Sequence, residues 1–184
     1  MDDTARLITT VDLRALDVLP GGATRLRVSV PVADLSLGRE RYRIQPAAPA
    51  TELRVARSLS GVHLRLRADP VVVGPCWRCL GEARVRAAVD TSEFQADDRP
   101  PGAAFNEDLD SVYVEGGRLD LAQWLRDAIA EALPATILCA ESCAGLCPSC
   151  GADLNRGRCS CSHDQADPRW APLGELAERL ARRG

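Results

Sequence analysis

The chain has 184 residues, a formal net charge of -3, eight cysteines and two histidines. That length suits one ordinary domain or a domain with a small module, and the acidic balance argues against a strongly basic nucleic-acid binder. No apolar run approaches the ~18 residues of a membrane span, and the start M-D-D-T-A-R-L lacks the charged and apolar regions of a signal peptide. A cytosolic protein is expected, and in that compartment eight cysteines point to metal ligation, not disulfides.

The charge is unevenly spread. Residues 1–90 carry 14 arginines against 10 acids, whereas residues 91–141 carry 3 arginines against 11 acids. All 23 basic side chains are arginine, which reads as a coding bias without functional meaning. Aromatic residues are scarce, so the core must come from Leu, Val, Ile and Ala.

In chain order, Leu13, Leu16 and Leu19 recur at helical spacing and predict a short helix over 11–19, stopped by Pro20-Gly21-Gly22. Arg25 to Val30 alternates, with Leu26, Val28 and Val30 inward and Arg25 and Arg27 outward, and predicts a strand. An irregular strand is expected near Tyr42 to Ile44. From Glu52 to Arg67 the alternation predicts a hairpin turning at Ser60-Gly61, with His63, Arg65 and Arg67 on its polar face. His63 reads there as a solvent-facing or hydrogen-bonded side chain. A further strand begins at Val71, and another leaves from Ala83, which puts Cys76 and Cys79 at a hairpin tip. Such a tip suits half of a zinc ribbon. A redox Cys-x-x-Cys more often heads a helix, and E-A-R-V-R-A-A-V alternates instead.

Residues 91–110 are rich in Asp and Glu and broken by Pro100-Pro101-Gly102, which predicts a mobile acidic loop. A short strand is expected at Val112–Val114. Asp120 then caps a helix over 120–133, with Leu121, Trp124, Leu125, Ala128, Ile129 and Ala132 on one face and Pro134 ending it. Trp124 reads as core. The last element is a terminal helix from Pro172, with Leu173, Leu176 and Leu180 on a stripe expected to dock on the parent domain.

Six of the eight cysteines fall between Cys139 and Cys161. Cys147, Cys150, Cys159 and Cys161 have the spacing to close one four-thiolate site locally. Cys139 and Cys143 would then complete Cys76 and Cys79 in a second, long-range site that clamps the β-half to the C-terminal segment. Swapped pairing stays open on spacing alone, and His163 is a spare ligand candidate. Two structural zinc ions are the expected cofactors, with every position filled by thiolate and none open to substrate. The fold class is α+β: a mostly antiparallel sheet or partly open barrel, a zinc-ribbon-like cysteine module and a C-terminal helix. The division expected is a β-rich domain over 1–135 and a cysteine-rich module over 136–184, joined by the shared metal site.

The order of motifs carries a resemblance. C-W-R-C-L at 76–80 is followed by the acidic stretch and L-D-L at 119–121. P-A-T-I-L-C-A-E-S-C-A-G-L-C-P-S-C-G-A-D-L-N at 134–155, C-S-C at 159–161 and D-P-R-W-A-P-L at 167–173 come next. Together they closely resemble the YceD family, the large ribosomal RNA subunit accumulation proteins. The resemblance implies a cytoplasmic, non-enzymatic factor for synthesis, processing or stability of large-subunit rRNA, acting in ribosome assembly. Its partners would be that rRNA or precursor particles, met directly or through a protein, with no membrane and no small-molecule substrate. Arg54, Arg57, Arg65, Arg67, Arg84 and Arg86 are the candidate phosphate-facing residues; the bland alternative is an ordinary solvated face. A zinc-stabilised protein-interaction or regulatory module without RNA contact is the runner-up. A metal-dependent hydrolase or nuclease would need a histidine or paired-carboxylate constellation, and the two histidines lie in separate contexts.

Overall fold

Alternating apolar and charged residues build the body of the protein. In a computed structural model, which describes residues 7–97, 110–161, 169 and 171–182, the regular structure is mostly antiparallel sheet, with a few short helices. Strands β1 (Thr10–Asp12), β2 (Ala23–Ser29), β3 (Leu35–Leu37), β4 (Glu40–Gln45), β5 (Ala50–Arg57) and β6 (Gly61–Ala68) come first. They are followed by β7 (Val71–Pro75), β8 (Glu82–Arg86), β9 (Val89–Ala96), β10 (Val114–Glu115) and β11 (Arg118–Asp120).

One four-stranded sheet has the order β2-β5-β6-β9 and the other β3-β4-β7-β8. The chain leaves the first sheet twice, after β2 and after β6, and each excursion adds a hairpin to the second. Every strand pairing within these sheets is antiparallel. In the first sheet Leu26, Leu53 and Leu66 stand in one cross-strand row, and the last two are fully buried. Side chains alternate across a strand, so the same register turns Arg25, Arg54 and Arg65 outward. Leu53, Leu64 and Leu66 share a core with Leu35, Ile44 and Val72 of the second sheet.

Helix α1 (Leu121–Glu131) closes that core. The Asp120 carboxylate accepts a hydrogen bond from the Gln123 N–H at 2.9 Å, an N-cap that satisfies one free donor of the first turn. Leu121, Trp124, Leu125, Ala128 and Ile129 are its buried face, with Tyr113 stacked on Trp124 at 6.0 Å. Helix α2 (Ala171–Ala181) belongs to a separate compact unit. Its leucines at 173, 176 and 180 are exposed. The two units are Met1–Cys143 and Ala144–Gly184. No helix among the described residues is long and apolar enough to cross a membrane.

Three local expectations are revised, two of them by non-local pairing. Over 11–19 there is no α-helix: Val11 pairs with Leu119 in β1, and only Arg14–Leu16 forms a single 3-10 turn. The Leu13 N–H donates to Gly117 O at 3.0 Å, and Asp17 turns left-handed at φ 45°, so helix cannot propagate there. The acidic segment is strand as far as Ala96, paired with β6 from Ala68↔Val89 to Gly61↔Ala96. Residues 98–109, the remainder of the expected loop, lie outside the described residues. The strand expected at 112–114 starts two residues later, at Val114.

Gly74 sits on β7 where the hairpin rises towards Cys76, and an added Cβ would run into the ring of Tyr42. Tyr42 is 5 % exposed and its hydroxyl donates to Pro75 O at 3.2 Å, so the ring has no room to withdraw. Gly74→Ala should therefore cost about 1–3 kcal/mol through overpacking. Urea unfolding of the metal-loaded protein measures this, and an unchanged midpoint would contradict the packing described.

Candidate metal centres

The hairpin β7–β8 and the stretch from Cys147 build the same small turn from different sequences. In the first, the Cys76 N–H donates to Gly81 O at 2.7 Å and the Leu80 N–H to Cys76 O at 2.9 Å. In the second, the Cys147 N–H donates to Ala152 O at 2.8 Å and the Gly151 N–H to Cys147 O at 2.8 Å. The fifth residue of each turn is left-handed, Leu80 at φ 59° and Gly151 at φ 73°. Glycine adopts that conformation without penalty, whereas a leucine there is strained by about 1–2 kcal/mol. In both turns the two cysteines of Cys-x-x-Cys point to one side, with backbone N–H groups gathered behind the first sulfur.

Two groups of four thiols result. Cys76 and Cys79 stand with Cys139 and Cys143; Cys147 and Cys150 stand with Cys159 and Cys161. Within each group the sulfurs lie within 4.8 Å of one another. All eight thiols are free. Cys76 Sγ is 3.8 Å from Cys143 Sγ, and Cys79 Sγ is 3.7 Å from Cys139 Sγ. A disulfide would need about 2.05 Å. Zinc–sulfur bonds of about 2.3 Å in a tetrahedron place sulfurs about 3.8 Å apart. The first group therefore has the size of a four-thiolate zinc site. Each group can hold a metal ion, and both are compatible with structural zinc.

The supports of the first group come from two places, the hairpin tip and the segment after α1. Cys76 is fully buried and Cys143 is 3 % exposed. The Trp77 N–H donates to Ile137 O at 2.8 Å, and Arg78 Nη1 to Cys143 O at 3.0 Å, so the segment after α1 is tied to the hairpin tip beside the sulfurs. The second group rests on a compact local frame. Leu146 and Asp153 form an antiparallel bridge, and Leu154 N–H donates to Gly145 O at 2.9 Å. Asn155 Oδ1 accepts from Ala144 N–H at 2.8 Å, while its Nδ2 donates to Asp153 Oδ1 at 2.7 Å. His163, the spare ligand candidate, lies outside the described residues.

The thiols are not equivalent as acids. Burial pushes the Cys76 thiol up, but backbone N–H groups of Cys79, Cys139 and Arg78 outweigh it and bring the pKa down to about 6. The Cys150 N–H, 3.4 Å from Cys147 Sγ, leads the same effect at Cys147, again to about 6. Cys139 is pushed up to about 12, first by its hydrogen bond with Cys143, and Cys161 to about 12, first by Cys150. Each group thus has one sulfur ready as thiolate and another that releases its proton to water only when a cation takes its place.

The six candidate phosphate-facing arginines do not share one surface. Arg54, Arg65 and Arg67 project from the outer face of the β2-β5-β6-β9 sheet. Arg57, three residues beyond Arg54, has the opposite parity on β5 and pairs with Asp97 at 2.9 Å. Arg84 and Arg86 stand on β8 of the other sheet, where Arg84 pairs with Glu82 at 3.3 Å and Arg86 with Asp69. Arg65 and Arg67 both reach Asp90, at 2.7 and 3.2 Å, and hold its carboxyl well below the usual carboxylate range. His63 is exposed and lies 4.7 Å from the ring of Phe94. Arg25, opposite Arg54 on β2, was missing from the sequence-based set.

Three consequences can be measured. Cys79→Ser and Cys150→Ser should each lower zinc content from about two to about one per chain, because each empties a different four-thiolate site. Loss of both zincs from either variant would show that the groups do not act separately. Leu80→Gly should keep both metals and leave stability unchanged or raise it by up to about 1 kcal/mol, since relief of strain is partly offset by unfolded-chain entropy. For the wild type, zinc affinity should fall on acidification, most steeply below about 6, where the Cys76 and Cys147 thiolates take up protons.

Comparison with known proteins places the chain among relatives. The family model of the large ribosomal RNA subunit accumulation protein YceD matches residues 64–177, a span that includes both thiol groups. An uncharacterised protein of Mycobacterium tuberculosis is 35 % identical over 173 residues, covering 91 % of this chain and 80 % of that one. An uncharacterised protein of Mycobacterium leprae is 29 % identical over 168 residues, covering 90 % of this chain and 76 % of its own. The chloroplastic YCED homolog 1 of Arabidopsis thaliana, a large ribosomal RNA subunit accumulation protein, is 34 % identical over 62 residues, or 34 % of this chain and 19 % of the plant protein. No solved structure matches. The chain belongs to the YceD family of large ribosomal RNA subunit accumulation proteins.

Proposed function

We propose that this protein is a non-enzymatic cytoplasmic factor for the synthesis, processing or stability of large-subunit ribosomal RNA, acting during ribosome assembly. The observation that carries the reading is the family match over 64–177, which takes in the β7–β8 hairpin, α1 and both thiol groups. Two zinc ions, held by Cys76, Cys79, Cys139 and Cys143 and by Cys147, Cys150, Cys159 and Cys161, would be structural. Four thiolates fill a tetrahedral zinc and leave no position for the water that a catalytic site needs. The zinc-ribbon-like turns then serve to stiffen a surface, not to activate a substrate.

A second reading, a protein-interaction module, is favoured by one feature of the first turn. Trp77 and Leu80 flank Cys79 and are 75 % and 67 % exposed. Large apolar side chains displayed on a metal-stiffened tip are characteristic of a contact made with a partner. The two readings are compatible if the protein reaches the precursor particle through another protein.

Depletion of the protein in its own host, followed by measurement of ribosomal RNA and precursors, tests the proposal. The expected outcome is a deficit of mature large-subunit rRNA relative to small-subunit rRNA. An unaltered ratio with intact precursors would refute it.

A further inference from the structure

The outer face of the β2-β5-β6-β9 sheet carries three cross-strand rows of different character. In the first row Arg27, Glu52, Arg67 and Asp90 alternate in sign, and their charges are matched: Arg27 to Glu52 at 3.6 Å and Arg67 to Asp90 at 3.2 Å. The next row is Arg25, Arg54, Arg65 and Ser92. Directly opposed residues on neighbouring strands have Cβ atoms about 5 Å apart, and like charges so placed repel. Of the three arginines only Arg65 has a carboxylate partner, Asp90; among the described residues Arg25 and Arg54 form no ion pair. All three side chains are exposed. The third row is Ala23, Ala56, His63 and Phe94, uncharged apart from the imidazole, with the His63 and Phe94 rings in contact at 4.7 Å.

A row of three guanidiniums, two of which the fold leaves without a carboxylate partner, is a place for an anion. The neighbouring row lies about 7 Å away along the strands and offers small side chains and an aromatic pair, where a flat ring can stack. Phosphate on one row and base on the next is the chemistry of a single nucleic-acid strand laid across an open sheet. A duplex presents its phosphates but not its bases, so the aromatic row would be idle against it. An acidic peptide would use the arginines and leave the rings unused.

We infer that this face binds single-stranded RNA, with Arg25, Arg54 and Arg65 holding phosphates and Phe94, backed by His63, stacking a base. The inference deepens the proposed role in large-subunit rRNA and rests on it for the choice of RNA. It assigns direct contact to one face of one sheet, through residues other than the thiol ligands.

The test uses the full zinc-loaded chain and a fluorescently labelled, short single-stranded oligouridylate, with a duplex of matched length for comparison. Anisotropy titrations between about 50 and 200 mM salt should give a log–log slope near -2 for three phosphate contacts, at about 0.7 per contact. Arg25→Gln/Arg54→Gln should reduce the slope towards about -0.7 and weaken binding at least tenfold at the lower salt. Phe94→Leu should weaken binding about tenfold with the slope unchanged, because stacking carries no counterion release. Arg118→Gln, an exposed arginine on β11 outside this face, should change nothing. The arginines are exposed and Phe94 is half-buried; zinc content with urea unfolding establishes that the variants are folded.

Wild-type affinity in the double variant would overturn the assignment of the face. Equal binding of duplex and single strand, with Phe94→Leu silent, would overturn the stacking and hence the single-strand specificity. If the wild type binds neither RNA but the double variant no longer co-sediments with precursor particles, the face is a protein-docking surface and the inference is wrong. Each of these failures is separable from that of the proposed function, which stands or falls on the rRNA ratio in the depleted host.

Discussion

Four sulfurs within 4.8 Å of one another cannot all be charged unless a cation stands among them, because each thiolate raises the cost of the next. That constraint governs how the first compact unit is put together. Cys76 and Cys79 come from the tip of the β7–β8 hairpin, while Cys139 and Cys143 come from the segment after α1. A metal there joins segments separated by 60 positions and fixes α1's exit against the second sheet. The Trp77 and Arg78 hydrogen bonds to Ile137 and Cys143 make the same connection through protein atoms. They are few, and although Cys76, Cys143 and Ile137 belong to the core, Cys79 and Cys139 are not buried, so a metal would add most on that open side of the group. Metal binding and folding share one free energy in such a site.

The second thiol group poses a different problem. Its ligands lie within one short stretch, and its frame is made of hydrogen bonds among Gly145, Leu146, Asp153, Leu154 and Asn155. Very little apolar surface supports it. A segment of this kind usually needs a metal or a disulfide to stay ordered. The shared hydrogen-bond pattern of the two turns shows how little sequence the motif requires: two cysteines, and a left-handed residue at the fifth position. Gly151 meets that demand freely and Leu80 meets it under strain. A strained, exposed leucine beside an exposed tryptophan is costly to a chain that gains nothing from displaying them.

Much of this was legible from residue order. The alternation of β2, β5 and β6, the Asp120 cap and apolar stripe of α1, and the placing of Cys76 and Cys79 at a hairpin tip follow from local periodicity. What local periodicity cannot see is pairing at a distance. Val11 reads as the start of a leucine-spaced helix until its partner, Leu119, is known. The acidic residues at 91–97 read as loop, although T-S-E-F-Q-A alternates well enough for an edge strand beside β6. The arginines illustrate both cases. That Arg54 and Arg57 point to opposite sides was available by counting, since an odd separation along a strand reverses the face. That Arg25 stands beside Arg54 depends on β2 pairing with β5 across an excursion of two strands, and no window of sequence contains that fact.

We propose that two tetrahedral four-sulfur zinc sites hold this fold together. X-ray absorption at the zinc edge on protein purified without chelator tests it most directly. The account predicts about two zincs per chain and a single shell of four sulfurs at about 2.3 Å. A shell containing nitrogen or oxygen, or a fully folded chain with less than one zinc, would contradict it.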